Sequence, residues 1–247
     1  MMGPLDRYDA FVKQQEPPNP GFRALKATSL ERIILGCFKK VVLADVLIGF
    51  SLAAFNDRDI LGLSPGELLL SLYVYYWVLF FDFSGYCDIA IGVGELFGFK
   101  VPENFNRPYL ARNMQDFWQR WHMTLMAWLR DYVYTPVFRK LLDVGSTHVQ
   151  VLNCASFFLT FLLAGVWHGE GWNFFLYGSL HGFAYMIWLT YKLWLTRSLG
   201  KERLKSYMKD PYIKGCAQLI TFHYFLLSLV FFIDKHGVLV KWIEGRL

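Results

Sequence analysis

Three uncharged runs limit what this chain can fold into. Val149 to Trp167 (19 residues), Trp172 to Tyr191 (20) and Gly215 to Ile233 (19) contain no Asp, Glu, Lys or Arg. Each is long enough to cross the ~30 Å hydrocarbon layer as a helix. A fourth run, Leu68 to Gly94, covers 27 residues broken only by Asp82 and Asp88, and a fifth, Val41 to Phe55, is short and contains Asp45. Strands are a poor alternative, because in lipid an open strand leaves its backbone groups unpaired. The expected fold is all-α, with four to six membrane-embedded helices. With 18% charged residues and 55% hydrophobic ones, the chain falls below the roughly 25% charge of soluble domains.

The first 29 residues, carrying "QQEPPNPG", are expected to form a polar lead-in loop and lack the order of a signal peptide. Residues 1–247 read as one membrane domain, without repeats. The four cysteines, Cys37, Cys87, Cys154 and Cys216, are widely spaced, so core packing is expected rather than a disulfide framework or a zinc site. The net charge of +5 concentrates in Lys192, Arg197, Lys201, Arg203, Lys205, Lys209 and Lys214. The positive-inside tendency puts that segment in the cytoplasm, next to anionic lipid rather than nucleic acid. The "HGEG" turn at 168–171 then faces the opposite side.

Between Phe99 and Lys140 the character changes. Two prolines and two asparagines make residues 101–108 a loop, and Asn113 is placed to cap the helix that follows. On that helix Trp118, Trp121, His122, Leu125, Trp128 and Leu129 keep the spacing of one face, while Asp116 and Arg120 are placed to pair.

Among six histidines, His168 and His181 flank a helix start, His122 lies on the aromatic face and His223 is inside the last run. An ionisable group in a membrane is costly unless neutral, paired or wetted. Neutral histidine is the least costly, and a neutral imidazole beside a hydroxyl is a general base. The residues alone leave a structural role equally open, with the histidine bonding a neighbouring helix. There is no G-x-S-x-G elbow, and no H-E-x-x-H or H-x₃₋₅-H spacing that would bind a metal. Ser84, between Asp82 and Asp88, reads best as a small residue at a helix crossing, with the aspartates bonding across helices.

At "ENFNRPYLARNMQDFWQRWHMTLMAWLRDYVY" and "LLAGVWHGEGWNFFLYGSLHG" the chain strongly resembles the membrane-bound O-acyltransferase family. Within it, the likeness is to the bacterial branch of D-alanyl transfer proteins for lipoteichoic acid and alginate O-acetylation proteins. "GPLDRYDAF", "DFSGYCDIAIGVGELFGF" and the closing "TFHYF" agree, in the family's order. Family members carry several helices before the G-P-[IL]-D-R-Y segment, so the resemblance implies the C-terminal portion of that fold.

The resemblance implies an enzyme of a bacterial cytoplasmic (inner) membrane, multi-pass, that moves a D-alanyl or acetyl group to hydroxyls of an envelope polymer. The W-H-G histidine carries over to His168 as general base, and the R-W-H histidine to His122, lining the same central cavity. Trp118, Trp121, Trp167, Trp172, Asn173 and His181 are candidate cavity residues, with simple packing the competing reading for the tryptophans. No cofactor is implied. The donor is a thioester, on a phosphopantetheine carrier protein or as acyl-CoA, and a periplasmic accessory protein is a further candidate partner. "RWHMTLMAWLRDYVYTPVF" without a following Gly-Gly-Asn segment leans towards D-alanyl transfer. The alternative is an inactive membrane scaffold of an envelope-modification system.

Overall fold

The computed structural model describes residues 3–14, 27–143, 148–233 and 236–245. The helices among them are α1 (Tyr8–Lys13), α2 (Ala27–Cys37), α3 (Asp45–Ile48), α4 (Asp57–Gly62), α5 (Pro65–Leu96) and α6 (Met114–Trp118). They continue with α7 (Met123–Leu129), α8 (Thr135–Asp143), α9 (Val149–Val166), α10 (Trp172–Lys209), α11 (Pro211–Phe232) and α12 (His236–Glu244). The all-α expectation holds. Among the described residues three helices, α5, α9 and α11, are long and apolar enough to cross a membrane. That is fewer than the four to six expected. The run at 172–191 is helical, but its Trp, Tyr, Asn and His residues dilute its hydropathy. Val41–Phe55 divides between a π-helical turn, the short α3 and irregular chain.

The helix starts obey local chemistry. Ser64 and Glu67 form a capping box ahead of Pro65 at the start of α5, and Asn56 with Asp59 does the same for α4. The Asp210 carboxylate accepts from the backbone N–H of Tyr212 and Ile213 at 2.9 and 3.0 Å, ahead of Pro211. The Asn113 side chain caps α6 through the Asp116 N–H at 2.8 Å, and Asp116 pairs with Arg120 at 2.6 Å, both as expected.

The chain forms two compact units. The first comprises residues 1–106, 122–125 and 237–247. In it α2 lies so close to α5 that a Cβ on Gly85 would stand 2.7 Å from the Gly36 carbonyl oxygen. The two aspartates of α5 are met by cations from α2 and the π-turn (Phe38–Ala44). Asp88 takes Lys39 at 2.6 Å and Arg32 at 3.1 Å, and Asp82 takes Lys40. The aspartates thus bond across helices, which lets an apolar span carry them. Ser84 is buried beside the Gly36–Gly85 crossing. Of the cysteines, Cys87 and Cys154 are buried but Cys37 and Cys216 are exposed. Core packing therefore describes only two of them.

The second unit comprises residues 107–121 and 126–236. Its main contact is α9 against α10, made at Gly165 and Gly178. A Cβ on Gly165 would lie 2.5 Å from the Phe174 carbonyl oxygen, and one on Gly178 would lie 2.6 Å from that of Phe161. Small residues at such crossings let backbones approach, the main source of packing energy between helices in lipid. Gly178→Leu is expected to force the pair apart and lower stability by about 1–3 kcal/mol or more. Gly215→Ala, inside α11 with open space around it, should leave stability unchanged or raise it by up to about 1 kcal/mol. Thermal melts of the two variants in one detergent test this ranking.

Candidate functional site

His168 sits in the short turn between α9 and α10, the place the glycine crossing draws together. Its imidazole is walled by rings from three elements. Trp167 lies 4.9 Å away between centroids, Phe232 at the end of α11 5.1 Å, Tyr177 6.2 Å and Phe174 6.4 Å. Asn173 holds that end of α11, its Nδ2 donating to the Phe231 carbonyl at 3.0 Å. Four rings lie within 6.4 Å of His168, yet the residue keeps accessible surface. Burial against them lowers its pKa from the usual 6.5 to about 4, because an imidazolium there would lose hydration. Among the described residues none hydrogen-bonds the His168 ring, so at neutral pH it is an uncommitted base.

Tyr177 links His168 to a deeper group, its ring also lying 4.4 Å from that of His181. His181 is 1% exposed. The Ser228 hydroxyl donates to the Phe225 carbonyl at 2.6 Å and therefore accepts from His181 Nε2–H at 3.1 Å. That assigns the proton to Nε2 and leaves Nδ1 an acceptor. His181 Nδ1 and Trp118 Nε1 are both enclosed without hydrogen-bond partners, and their rings meet edge-on at 5.1 Å. An orphaned donor and an orphaned acceptor are costly in a core, and the two are chemically matched to one hydroxyl, which accepts from the first and donates to the second.

His122 belongs to the first unit. The single helix expected to carry it is broken: α6 stops at Trp118, α7 starts at Met123, and His122 takes a left-handed φ of +48°. The cause is Asn104, 1% exposed, from the loop expected at 101–108. Its Oδ1 accepts from His122 Nδ1 at 3.1 Å, from the Thr124 N–H at 3.2 Å and from the Thr124 hydroxyl at 3.0 Å. Its backbone carbonyl accepts from the Met123 N–H at 3.0 Å. Asn104 thus caps α7 from another part of the chain. The bond to an amide oxygen puts the His122 proton on Nδ1 and makes Nε2 the basic nitrogen. Phe83 packs edge-on at 4.7 Å.

Of the other candidates, Trp118 and Trp121 both pack on Phe225, near His181. Trp167 flanks His168, whereas Trp172 is 79% exposed and touches Phe175. His223 is bonded locally, its Nδ1 lying 2.8 Å from the Leu219 carbonyl. The His236 side chain lies outside the described residues. Asn104, Tyr177, Ser228 and Phe232 escaped sequence reasoning. An asparagine in a loop carries a weak signal; a serine, tyrosine or phenylalanine in an apolar span carries none.

A 37% identical stretch of 236 residues aligns with a peptidoglycan O-acetyltransferase of Helicobacter pylori, covering 95% of this chain and 41% of that protein. A teichoic acid D-alanyltransferase of Bacillus subtilis is 32% identical over 239 residues, 94% of this chain and 58% of that one. A probable alginate O-acetylase of Azotobacter vinelandii is 39% identical over 156 residues, 63% of this chain and 30% of its own length. The chain thus spans about half the length, or less, of these curated relatives. The model of the membrane-bound O-acyltransferase family matches residues 1–233, and the chain belongs to that family.

Proposed function

We propose that this membrane protein acts in O-acyl transfer, passing a D-alanyl or acetyl group from a thioester donor to hydroxyls of an envelope polymer. The observation that carries the reading is the uncommitted imidazole of His168, set among aromatic rings and still accessible, in a chain of this family. His168 accepts the proton as the acceptor oxygen attacks the thioester carbonyl. The new C–O bond forms, the C–S bond breaks, and the proton passes from His168 to the departing thiolate. A thioester already has a good leaving group, so placement and one base supply much of the acceleration. The aromatic wall limits loss of the acyl group to water.

In this reading Trp118 Nε1–H and His181 Nδ1 hold a polar group of substrate, and His122 supports the reaction. The donor is a phosphopantetheine carrier protein or acyl-CoA, the site of action is the bacterial inner membrane, and a periplasmic accessory protein completes delivery. The three kinds of relative are named for acetyl and for D-alanyl transfer, and both acyl groups belong in the test.

A pH profile tests the base. The folded pKa of His168, about 4, lies below the ordinary 6.5. The neutral form therefore persists as pH falls below 6.5, and the linked stability, complete above that value, is lost as pH drops towards 4. At pH 5.5 an ordinary histidine is about 90% protonated, whereas His168 stays mostly neutral. The expected kcat/KM for acyl transfer is nearly flat from pH 7.5 to 5.5 and falls below 5. A limb centred at 6.5 would assign the base to another group.

A further inference from the structure

The connection between α10 and α11 contains a feature unrelated to the histidines. Gly200, at φ +71° and ψ 169°, breaks α10, and the chain folds back so that the Tyr207 hydroxyl meets that of Tyr191 at 2.9 Å. The fold-back walls a cleft of about 580 Å³ between α10, the start of α6 and α11. Its lining is mostly apolar, with Ala184, Ile187 and Trp188 from α10 and Ala217 and Ile220 from α11. Trp188 is fixed by a 3.1 Å bond from its Nε1 to Gln115.

Two cations join this lining, Arg112 and Lys214. Neither side chain forms an ion pair with a carboxylate among the described residues, although the Arg112 backbone N–H donates to the Asp116 carboxylate at 3.0 Å. The surrounding segment, 192–214, has seven cations against Glu202 and Asp210, a net +5 equal to the charge of the whole chain. An apolar cleft with cations in its wall, bordered by the most basic segment of a membrane protein, matches a molecule with an anionic head and a hydrocarbon tail. The dimensions agree: Tyr212 to Tyr224 along α11 covers about 18 Å, close to the ~15 Å of one leaflet's hydrocarbon. Tyr191, Tyr207 and Tyr212 line the cleft, and tyrosine is a residue type enriched at membrane interfaces.

We propose that this cleft binds an anionic phospholipid of the cytoplasmic leaflet, its phosphate between Arg112 and Lys214 and an acyl chain along Ile187 and Ile220. The site is independent of the acyl-transfer reading and stands or falls without it.

The test is native mass spectrometry of the whole 247-residue chain, purified from micelles containing equal phosphatidylglycerol and phosphatidylcholine. Wild type should retain phosphatidylglycerol at least about fivefold over phosphatidylcholine. Arg112→Gln with Lys214→Gln should bring that ratio near one while leaving phosphatidylcholine unchanged. Ala184→Phe and Ala217→Phe, filling the cleft from opposite helices, should each reduce retention of both lipids. The double glutamine variant alters only partly or fully exposed side chains and keeps the test decisive if a phenylalanine variant fails to fold. Equal retention of the two lipids by wild type, or a preference that survives the glutamine substitutions, would overturn the proposal. So would retention of neither lipid, which would assign the cleft to protein.

Discussion

His168→Ala is expected to reduce acyl transfer by about 10²- to 10⁴-fold, the usual range for removing a general base, with yield and membrane insertion close to wild type. The separation of effects follows from the structure. The helices that place His168 are held by the Gly165–Gly178 crossing and by Asn173 on the Phe231 carbonyl, none of which uses the imidazole. The ring makes aromatic contacts only. The assay is acyl transfer to envelope material in cells lacking their own activity, run with D-alanyl and acetyl donors and beside a version extended by the family's preceding helices. Retention of most activity would remove His168 from the mechanism. His122→Ala should also impair transfer, while His148→Ala, an exposed position at the start of α9, should be nearly silent. The reverse ranking would sink the assignment of both histidines. If no form transfers either acyl group, the scaffold reading takes over.

Asn104→Ala should produce the second large effect, on stability as well as activity. One side-chain oxygen serves the His122 ring, the Thr124 N–H and the Thr124 hydroxyl, and the Thr124 hydroxyl in turn accepts from the Leu5 N–H at 2.9 Å. Truncation strands several buried donors at once. At about 1–3 kcal/mol for each buried group left unmade, and with strong non-additivity inside one network, a total loss of about 2–5 kcal/mol is expected. His122 would also lose the partner that offsets its left-handed backbone and fixes its tautomer. Thermal melting in detergent reads the first consequence and acyl transfer the second. A variant with wild-type melting and activity would show that the network around Asn104 is dispensable.

Asn104 also marks where sequence reasoning ended. The tryptophans and His122 keep helical spacing through residues 118–129, and periodicity predicts one helix. The break arises because an amide remote in sequence offers Thr124, Met123 and His122 better partners than a continuing helix would. The same holds for Gly200, which gives no sign that α10 will fold back until Tyr191 and Tyr207 meet.

The uncharged runs, the caps at Ser64, Asn113 and Asp210, the Asp116–Arg120 pair and the family motifs were all determined by the sequence itself. These depend on burial preference or on contacts within about four residues, which neighbouring side chains largely decide. Other features were decided only in the tertiary structure. They include the ring wall around His168, the tautomer of His181 set by Ser228 47 residues away, the capture of His122 by Asn104 and the cleft beside Lys214. Each brings together groups far apart in the chain, and their meeting depends on how closely two helices can approach, as at Gly165 and Gly178, which no local pattern encodes.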